Sequence, residues 1–268
     1  MTDCMIVVPT YNEARNIGRL IPRLLEYPRV RVLVIDDNSP DGTGDIVAAF
    51  ALREPRVALQ RRPGKLGLGS AYIAGFRRAL AEGAEFIFAM DADFSHNPHY
   101  VPTLLAMAEV GADLVIGSRY IPGGGTSHWS FWRQLVSRGG NLYARMLLGL
   151  PVADVTGGFR CYRRRVLETL DLDRLRSHGY AFQIELLYRV YQAGYSIVET
   201  PIIFPDRQVG SSKMSRRIMA EALINVWRLR FELLAPPFGH RAVTPRGATR
   251  AYRGYTPEDR GYPEQLPR

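Results

Sequence analysis

Asp91-Ala92-Asp93 directly follow the apolar run 86–90. Two carboxylates one residue apart at the end of a strand can both turn toward one hard cation. Oxygen ligands suit Mg²⁺ or Mn²⁺, and such an ion neutralises a nucleotide diphosphate as it departs. A D-x-D triplet is also what a capping turn at a strand-to-helix junction uses, so its meaning depends on its company. Asp36-Asp37 follow the run 30–35, the position from which a carboxylate accepts hydrogen bonds from a nucleobase or ribose. The stretch from Asp36 to Gly42 is equally a turn rich in Asp, Asn and Pro. Pro9-Thr10-Tyr11-Asn12-Glu13 close the first apolar run and Gly117-Ser118-Arg119 the fourth. Three of these four loops carry carboxylates, an acidic rim on a chain whose formal charge is +9, and a divalent cation suits such a rim.

Gly64-Lys65-Leu66-Gly67-Leu68-Gly69 matches neither a phosphate loop nor a dinucleotide fingerprint, because its lysine comes too early and it does not follow the first strand. It reads as a loop and helix entry near the nucleotide. Arg119, Arg133, Arg138, Arg207 and Lys213 are candidate phosphate clamps, since guanidinium groups bind phosphate oxygens in pairs and an ammonium acts as a point charge. Taken singly, an arginine in this chain reads as a solvated surface residue. The five histidines have no metal-ligand spacing and read as surface or packing residues. Cys4 and Cys161 are too few for a disulfide framework or a cysteine-rich zinc site and read as small buried residues.

The elements that must position these residues alternate along the chain. Met5 to Pro9, Val30 to Ile35, Phe86 to Met90 and Leu114 to Ile116 read as buried strands. Between the first two, Asn12 can cap a helix whose inner stripe is Ile17, Leu20, Ile21, Leu24 and Leu25. Ile46, Val47 and Phe50 mark a second helix, Phe76, Ala79 and Leu80 a third, and Val101, Leu104 and Leu105 a fourth. The rhythm predicts an α/β fold, a mostly parallel sheet with helices on both faces, in which ligands collect at the carboxyl ends of the strands. Trp129 to Leu148 and Met214 to Leu234 read as amphipathic helices mixing arginines with large apolar residues. Residues 1–235 form one domain in this reading, and 236–268, rich in Pro, Gly, Arg and Tyr without periodicity, a flexible tail.

The 268 residues suffice for a substantial core, and 46% hydrophobic with 23% charged residues is ordinary for a globular chain. The positive charge calls for an anionic partner: nucleic acid, an acidic membrane surface or a phosphorylated substrate. Almost all of it is arginine, Lys65 and Lys213 being the only lysines, and nucleic-acid binding is not read from it. No signal peptide opens the chain and no run reaches the ~18 to 20 apolar residues of a spanning helix. A cytoplasmic protein with at most peripheral membrane contact is expected.

Together, Pro9-Thr10-Tyr11-Asn12-Glu13, Asp36 to Thr43, Met90 to Pro98, Gly117-Ser118-Arg119-Tyr120, Gly157-Gly158-Phe159-Arg160 and Gly210-Ser211-Ser212-Lys213-Met214 resemble the dolichyl-phosphate (polyprenyl-phosphate) mannosyltransferases, inverting enzymes of the GT-A fold in glycosyltransferase family 2. The match runs over roughly residues 4 to 235, and the ordered set is far more specific than any piece. The resemblance implies transfer of mannose from GDP-mannose to a polyprenyl monophosphate, with Mg²⁺ or Mn²⁺ as cofactor. It implies that Pro9, Tyr11, Glu13, Ile35 and Asp37 line the guanosine pocket, that Asp91, Ala92 and Asp93 lie at the diphosphate, and that Ala181 lines the sugar side. Arg119, Arg133, Arg207 and Lys213 then face donor and acceptor phosphates, with Arg138 and Ser137 on the acceptor side. The catalytic set is Asp91, Asp93 and Arg119, and the metal set Asp91, Asp93 and Ser95.

This chain departs from some relatives by carrying Ser95 where they place a metal-binding glutamine, which leaves open whether Ser95 or a water completes the coordination. It also lacks the C-terminal membrane spans of some relatives, so it must meet its lipid through surface contacts or a membrane-protein partner, on the cytosolic face. Three other readings stand beside this one. The same fold could use UDP-glucose, the chain could be a catalytically silent nucleotide-sugar-binding subunit, or it could bind nucleic acid; the last leaves the acidic rim unexplained.

Overall fold

The computed structural model describes residues 3–175, 177, 179–206 and 226–231, and among them nine strands and seven helices are bounded at both ends, beside a helical stretch at 226–231. In chain order they are β1 (Cys4–Thr10), α1 (Ala14–Leu25), β2 (Val30–Asp36), α2 (Thr43–Ala51), β3 (Val57–Arg61), α3 (Leu68–Ala81), β4 (Phe86–Ala89), α4 (Val101–Glu109) and β5 (Leu114–Ser118). There follow β6 (Gly125–Ser127), α5 (Phe131–Leu148), β7 (Arg160–Arg163), α6 (Arg164–Thr169), α7 (Tyr180–Gln192), β8 (Ile197–Pro201) and β9 (Ile203–Pro205). The main sheet runs β3-β2-β1-β4-β7-β5-β8, parallel throughout except for β7, which is antiparallel to both β4 and β5. β6 and β9 form a separate parallel pair.

Both faces of the sheet are buried, which is why its strands read as apolar runs rather than alternating ones. Successive side chains of β1 go to opposite cores: Met5 and Val7 join Leu33, Ile35, Tyr72 and Phe76, whereas Cys4, Ile6 and Val8 join Ile17, Leu20 and Leu104. α3 therefore covers one face and α1, α2 and α4 the other. α3 lies so close to β1 that a Cβ at Gly75 would collide with Val7. The expected α1 stripe is present, with Ile17, Leu20, Ile21 and Leu24 fully buried, each worth about 1.5–3 kcal/mol against exposure.

Asn12 does not cap α1. It takes a left-handed φ of 61°, and the capping comes from the β2–α2 turn instead. Asp41 Oδ2 accepts the Ala14 N–H at 3.0 Å, Thr43 Oγ1 the Glu13 N–H at 2.9 Å and Ser39 Oγ the Asn12 N–H at 3.0 Å. A side chain from the neighbouring loop thus satisfies donors that a local cap would otherwise take. Of the expected C-terminal helix, residues 226–231 are helical, with Val226 and Leu229 buried and Trp227 and Phe231 exposed; its remainder and residues 236–268 lie outside the described residues.

Candidate active site

The parallel pairing of β2, β1 and β4 brings the segments after Asp36, Thr10 and Ala89 to one edge of the sheet. At the β4 tip, Asp91 is held from two directions. Its Oδ1 accepts the Tyr72 hydroxyl at 3.0 Å, and its N–H donates to His96 Nδ1 at 2.9 Å, with His96 Nε2 4.0 Å from Oδ2. Burial, with the Asp91 and Asp93 charges behind it, pushes the Tyr72 phenol well up from its usual value, so Tyr72 stays a donor. His96 is buried, stacked on Phe159 at 5.1 Å and edge-on to Phe204. It is thus a packing residue that also fixes Asp91, a role its spacing did not reveal.

Asp93 is buried, and its Oδ1 accepts the Ser95 N–H at 3.1 Å and the Ser95 hydroxyl at 2.6 Å. Ser95 therefore orients Asp93 with its proton, while Ala92 between the two carboxylates is turned into the core. Asp91 keeps a third of its side chain exposed. Among the described residues no group of three or more His, Cys, Asp or Glu side chains forms a cage for an ion. Two carboxylates at a strand tip suit a cation that takes the rest of its shell from phosphate oxygens and water, as Mg²⁺ commonly does.

At the β2 tip the two aspartates divide their work. Asp36 is a strut: Oδ1 accepts Thr10 Oγ1 at 2.8 Å and Ser39 Oγ at 2.6 Å. Asp37 is engaged by Arg62 Nε at 2.5 Å and by the N–H groups of Leu66 and Gly67 at 3.1 and 3.3 Å. Tyr11 stands nearby with Lys65 Nζ 4.3 Å from its ring centroid, and Glu13 Oε2 accepts Asn16 Nδ2 at 2.7 Å. Ile35 sends its side chain into the core opposite Pro9, leaving its main chain at the rim.

On the far side, Arg119 lies against Asp154, with Thr156 Oγ1 also 2.7 Å from Nη2. Burial works to raise the Asp154 carboxyl, yet the Arg119 charge and hydrogen bonds, aided by Arg160, hold it below the ordinary carboxylate value. The loop carrying Asp154 is tied down by Glu199, which accepts the Ala153 and Asp154 N–H groups at 2.7 and 2.9 Å, and by Asn141, which accepts that of Val155 at 2.8 Å. Fully buried Arg160 donates to the carbonyls of Val155, Gly157 and Gln183.

On α5, Arg133 sits 4.1 Å over the Trp129 ring and pairs with Asp206, Ser137 Oγ lies 2.7 Å from Tyr120 Oη, and Arg138 is exposed. Ala181 is buried in the first turn of α7. Arg207 and Lys213 lie outside the described residues. Sequence reasoning missed Tyr72, Arg62, Asp154, Asn141 and Glu199. A signal existed only for Asp154 and Glu199, charged residues set beside the apolar residues Val152 and Val155, and Val198.

A model of Glycosyl transferase family 2 matches residues 5–171. The chain is 45% identical over 233 residues to a polyprenol monophosphomannose synthase of Mycolicibacterium smegmatis, covering 85% of this chain and 88% of that protein. It is 46% identical over 225 residues to an undecaprenyl-phosphate mannosyltransferase of Micrococcus luteus, covering 84% of this chain and 92% of that one. Among solved structures, glucosyl-3-phosphoglycerate synthase from Mycobacterium tuberculosis superposes with a TM-score of 0.61 at 18% identity, over 86% of this chain and 80% of that chain. The expected GT-A arrangement is the fold observed, and with a family model spanning more than half its length the chain belongs to glycosyl transferase family 2.

Proposed function

We propose that this glycosyltransferase moves mannose from GDP-mannose to a polyprenyl monophosphate, inverting the anomeric carbon, at the cytosolic face of a membrane. The observation that carries the reading is the pair of held carboxylates, Asp91 and Asp93, at the β4 tip of a chain so similar to two polyprenyl-phosphate mannosyltransferases. A Mg²⁺ or Mn²⁺ ion on Asp91 and Asp93, when bound, neutralises the charge building on the leaving diphosphate.

The acceptor phosphate carries about −1.5 to −2 charge near neutral pH, so it attacks without a side-chain base. One of its oxygens bonds to the mannose C1 as the bond from C1 to the diphosphate oxygen breaks, and GDP leaves with the electron pair. The protein's task is to bring two anions together. Arg133 and Arg138, with Ser137, receive the acceptor phosphate; Arg119, fixed by Asp154, holds a rigid guanidinium beside the reacting phosphates. Arg207 and Lys213 are assigned to the same phosphates. Pro9, Tyr11, Glu13, Asp37 and the main chain of Ile35 bound the nucleoside end, the main chain of Ala92 the diphosphate and Ala181 the sugar, while Ser95 serves the metal site by orienting Asp93. The catalytic unit in this reading is residues 1–235.

No helix among the described residues is long and apolar enough to cross a membrane. One side of α5 nevertheless exposes Phe131, Trp132, Leu135, Val136, Leu142 and Met146 beside Arg138. Exposed apolar residues with basic flanks suit the headgroup layer, which supports peripheral contact there, directly or through a membrane-protein partner.

Incubating the purified protein with labelled GDP-mannose, Mg²⁺ and a polyprenyl phosphate should move label into the organic phase. Label that stays aqueous, or that transfers better from UDP-glucose, would sink the reading.

A further inference from the structure

Neither the carboxylates at the β4 tip nor the arginines beside β5 make use of the segment Gly64–Gly69. The fold nonetheless builds it firmly. Buried Arg62, the first residue after β3, donates through Nε to Asp37 Oδ1 at 2.5 Å, through Nη1 to Ser70 Oγ at 2.9 Å and through Nη2 to the Gly67 carbonyl at 3.1 Å. Asp37 Oδ2 accepts the N–H groups of Leu66 and Gly67. A carboxylate and a guanidinium, both buried and paired with each other, thus grip one short turn together. Lys65 projects from that turn, exposed, with its ammonium 4.3 Å from the Tyr11 ring centroid.

Strand order says which end of a nucleotide this ammonium meets. The order is β3-β2-β1-β4, so three strand spacings of about 4.8 Å separate the β3 tip from the β4 tip, roughly 14 Å in all. With the diphosphate at Asp91 and Asp93, the connection from β3 to α3 stands at the base end, and its lysine reaches across to Tyr11, a residue of the nucleoside end in this reading. An ammonium is a donor without acceptor capacity. The O6 and N7 edge of guanine offers two acceptors side by side, whereas adenine sets an amino donor next to N7.

We propose that Lys65 is a base-recognition residue, selecting guanine by donating to its O6/N7 edge, and that Asp37 and Arg62 are the positioning residues that present it beside Tyr11. The proposal rests on the reading that the donor is a GDP-sugar. Rotation about the lysine torsions carries the ammonium from the Tyr11 ring to the edge of a base lying against it, and the gripped turn keeps the backbone of Lys65 in place meanwhile.

The test is the dissociation constant of GDP and of ADP, with Mg²⁺ present, for the wild-type protein and Lys65→Met. GDP should weaken about tenfold in the variant while ADP, sharing the ribose and diphosphate, does not change. Equal weakening of both nucleotides would make Lys65 a phosphate contact and overturn the proposal, as would no weakening of either. Arg62→Lys, which keeps the charge but not the fork, should reproduce the GDP defect, and Lys65→Met added to it should cost nothing further; additive losses would overturn the positioning role. A wild-type protein that prefers UDP to GDP would refute the donor reading itself, whereas a GDP preference untouched by Lys65→Met refutes only this inference.

Discussion

The Arg119 guanidinium meets the Asp154 carboxylate fork to fork, Nε to Oδ2 at 2.7 Å and Nη2 to Oδ1 at 2.8 Å, with Asp154 fully buried. The same carboxylate accepts the N–H groups of Arg119 and Gly157, so one side chain fixes both the arginine and the loop facing it. Asp154→Asn leaves the guanidinium without its counter-charge and should cost about 3–5 kcal/mol in urea unfolding. Asp45→Asn, which breaks the exposed pair with Arg61, should cost no more than about 1 kcal/mol. Because the Asp154 carboxyl is held below its ordinary 3.8, its contribution is complete above that pH and fades as pH falls through the lower folded value. Wild-type stability should therefore drop more steeply below about pH 3.8 than that of Asp154→Asn; parallel acid limbs would contradict the assignment.

At the alkaline end the buried thiols contribute, beside the Tyr72 and Tyr162 phenols that burial also raises. Burial first, and Asp3 second, push Cys4 from 9.0 up to about 12, and burial raises Cys161 as well. A group whose folded value is raised stabilises fully below its unfolded value and loses that contribution as pH climbs through the folded one. The Tm of the wild-type protein should thus fall between pH 9 and 12, and Cys4→Ala should flatten that slope. A slope unchanged in Cys4→Ala would assign the alkaline loss to other groups.

How legible all this was depended on distance along the chain. β1, β2, β4 and β5 announced themselves because both their faces are buried; β3, Val-Ala-Leu-Gln-Arg at the sheet edge, is only half-buried and mixes polar residues in. β7 was hidden by the arginines at its two ends, one of which is wholly buried on main-chain carbonyls. Asp91 and Asp93 were visible because they are two residues apart. Their supports were not: Tyr72 comes from another helix, Arg62 reaches Asp37 from 25 residues away, and Asp154 reaches Arg119 from 35. Pairs closed by the fold leave no local spacing to read. Asn12 failed as a cap for the same reason, since Asp41 arrives from the next loop.

Tyr72 gives the proposed metal site a test separate from its two carboxylates. Asp91→Ala, or EDTA on the wild-type protein, should abolish transfer without unfolding the chain. Tyr72→Phe deletes only the hydroxyl that orients Asp91, and the divalent-cation concentration for half-maximal rate should rise about 10–100-fold. Full activity in EDTA would rule out the metal-assisted mechanism, and an unchanged cation requirement in Tyr72→Phe would deny Tyr72 its orienting role.

Arg133 offers the clearest handle on the lipid side. Its guanidinium rests on the Trp129 ring at 4.1 Å and is paired with Asp206, both partners of that pair being partly exposed. Such a half-solvated pair is worth only about 0–1 kcal/mol, so a phosphate dianion can displace Asp206 while the ring keeps the guanidinium oriented. Arg133→Ala should then raise the apparent KM for polyprenyl phosphate well above its effect on the KM for GDP-mannose. Asp206→Asn should act in the opposite direction, lowering the acceptor KM because the competing anion is gone. Acceptor affinity should also weaken with added salt in the wild-type protein and less so in Arg133→Ala. Equal KM changes for both substrates in Arg133→Ala would move this arginine to the donor, and an acceptor KM that rises in Asp206→Asn would make the pair a structural tie that the phosphate never replaces.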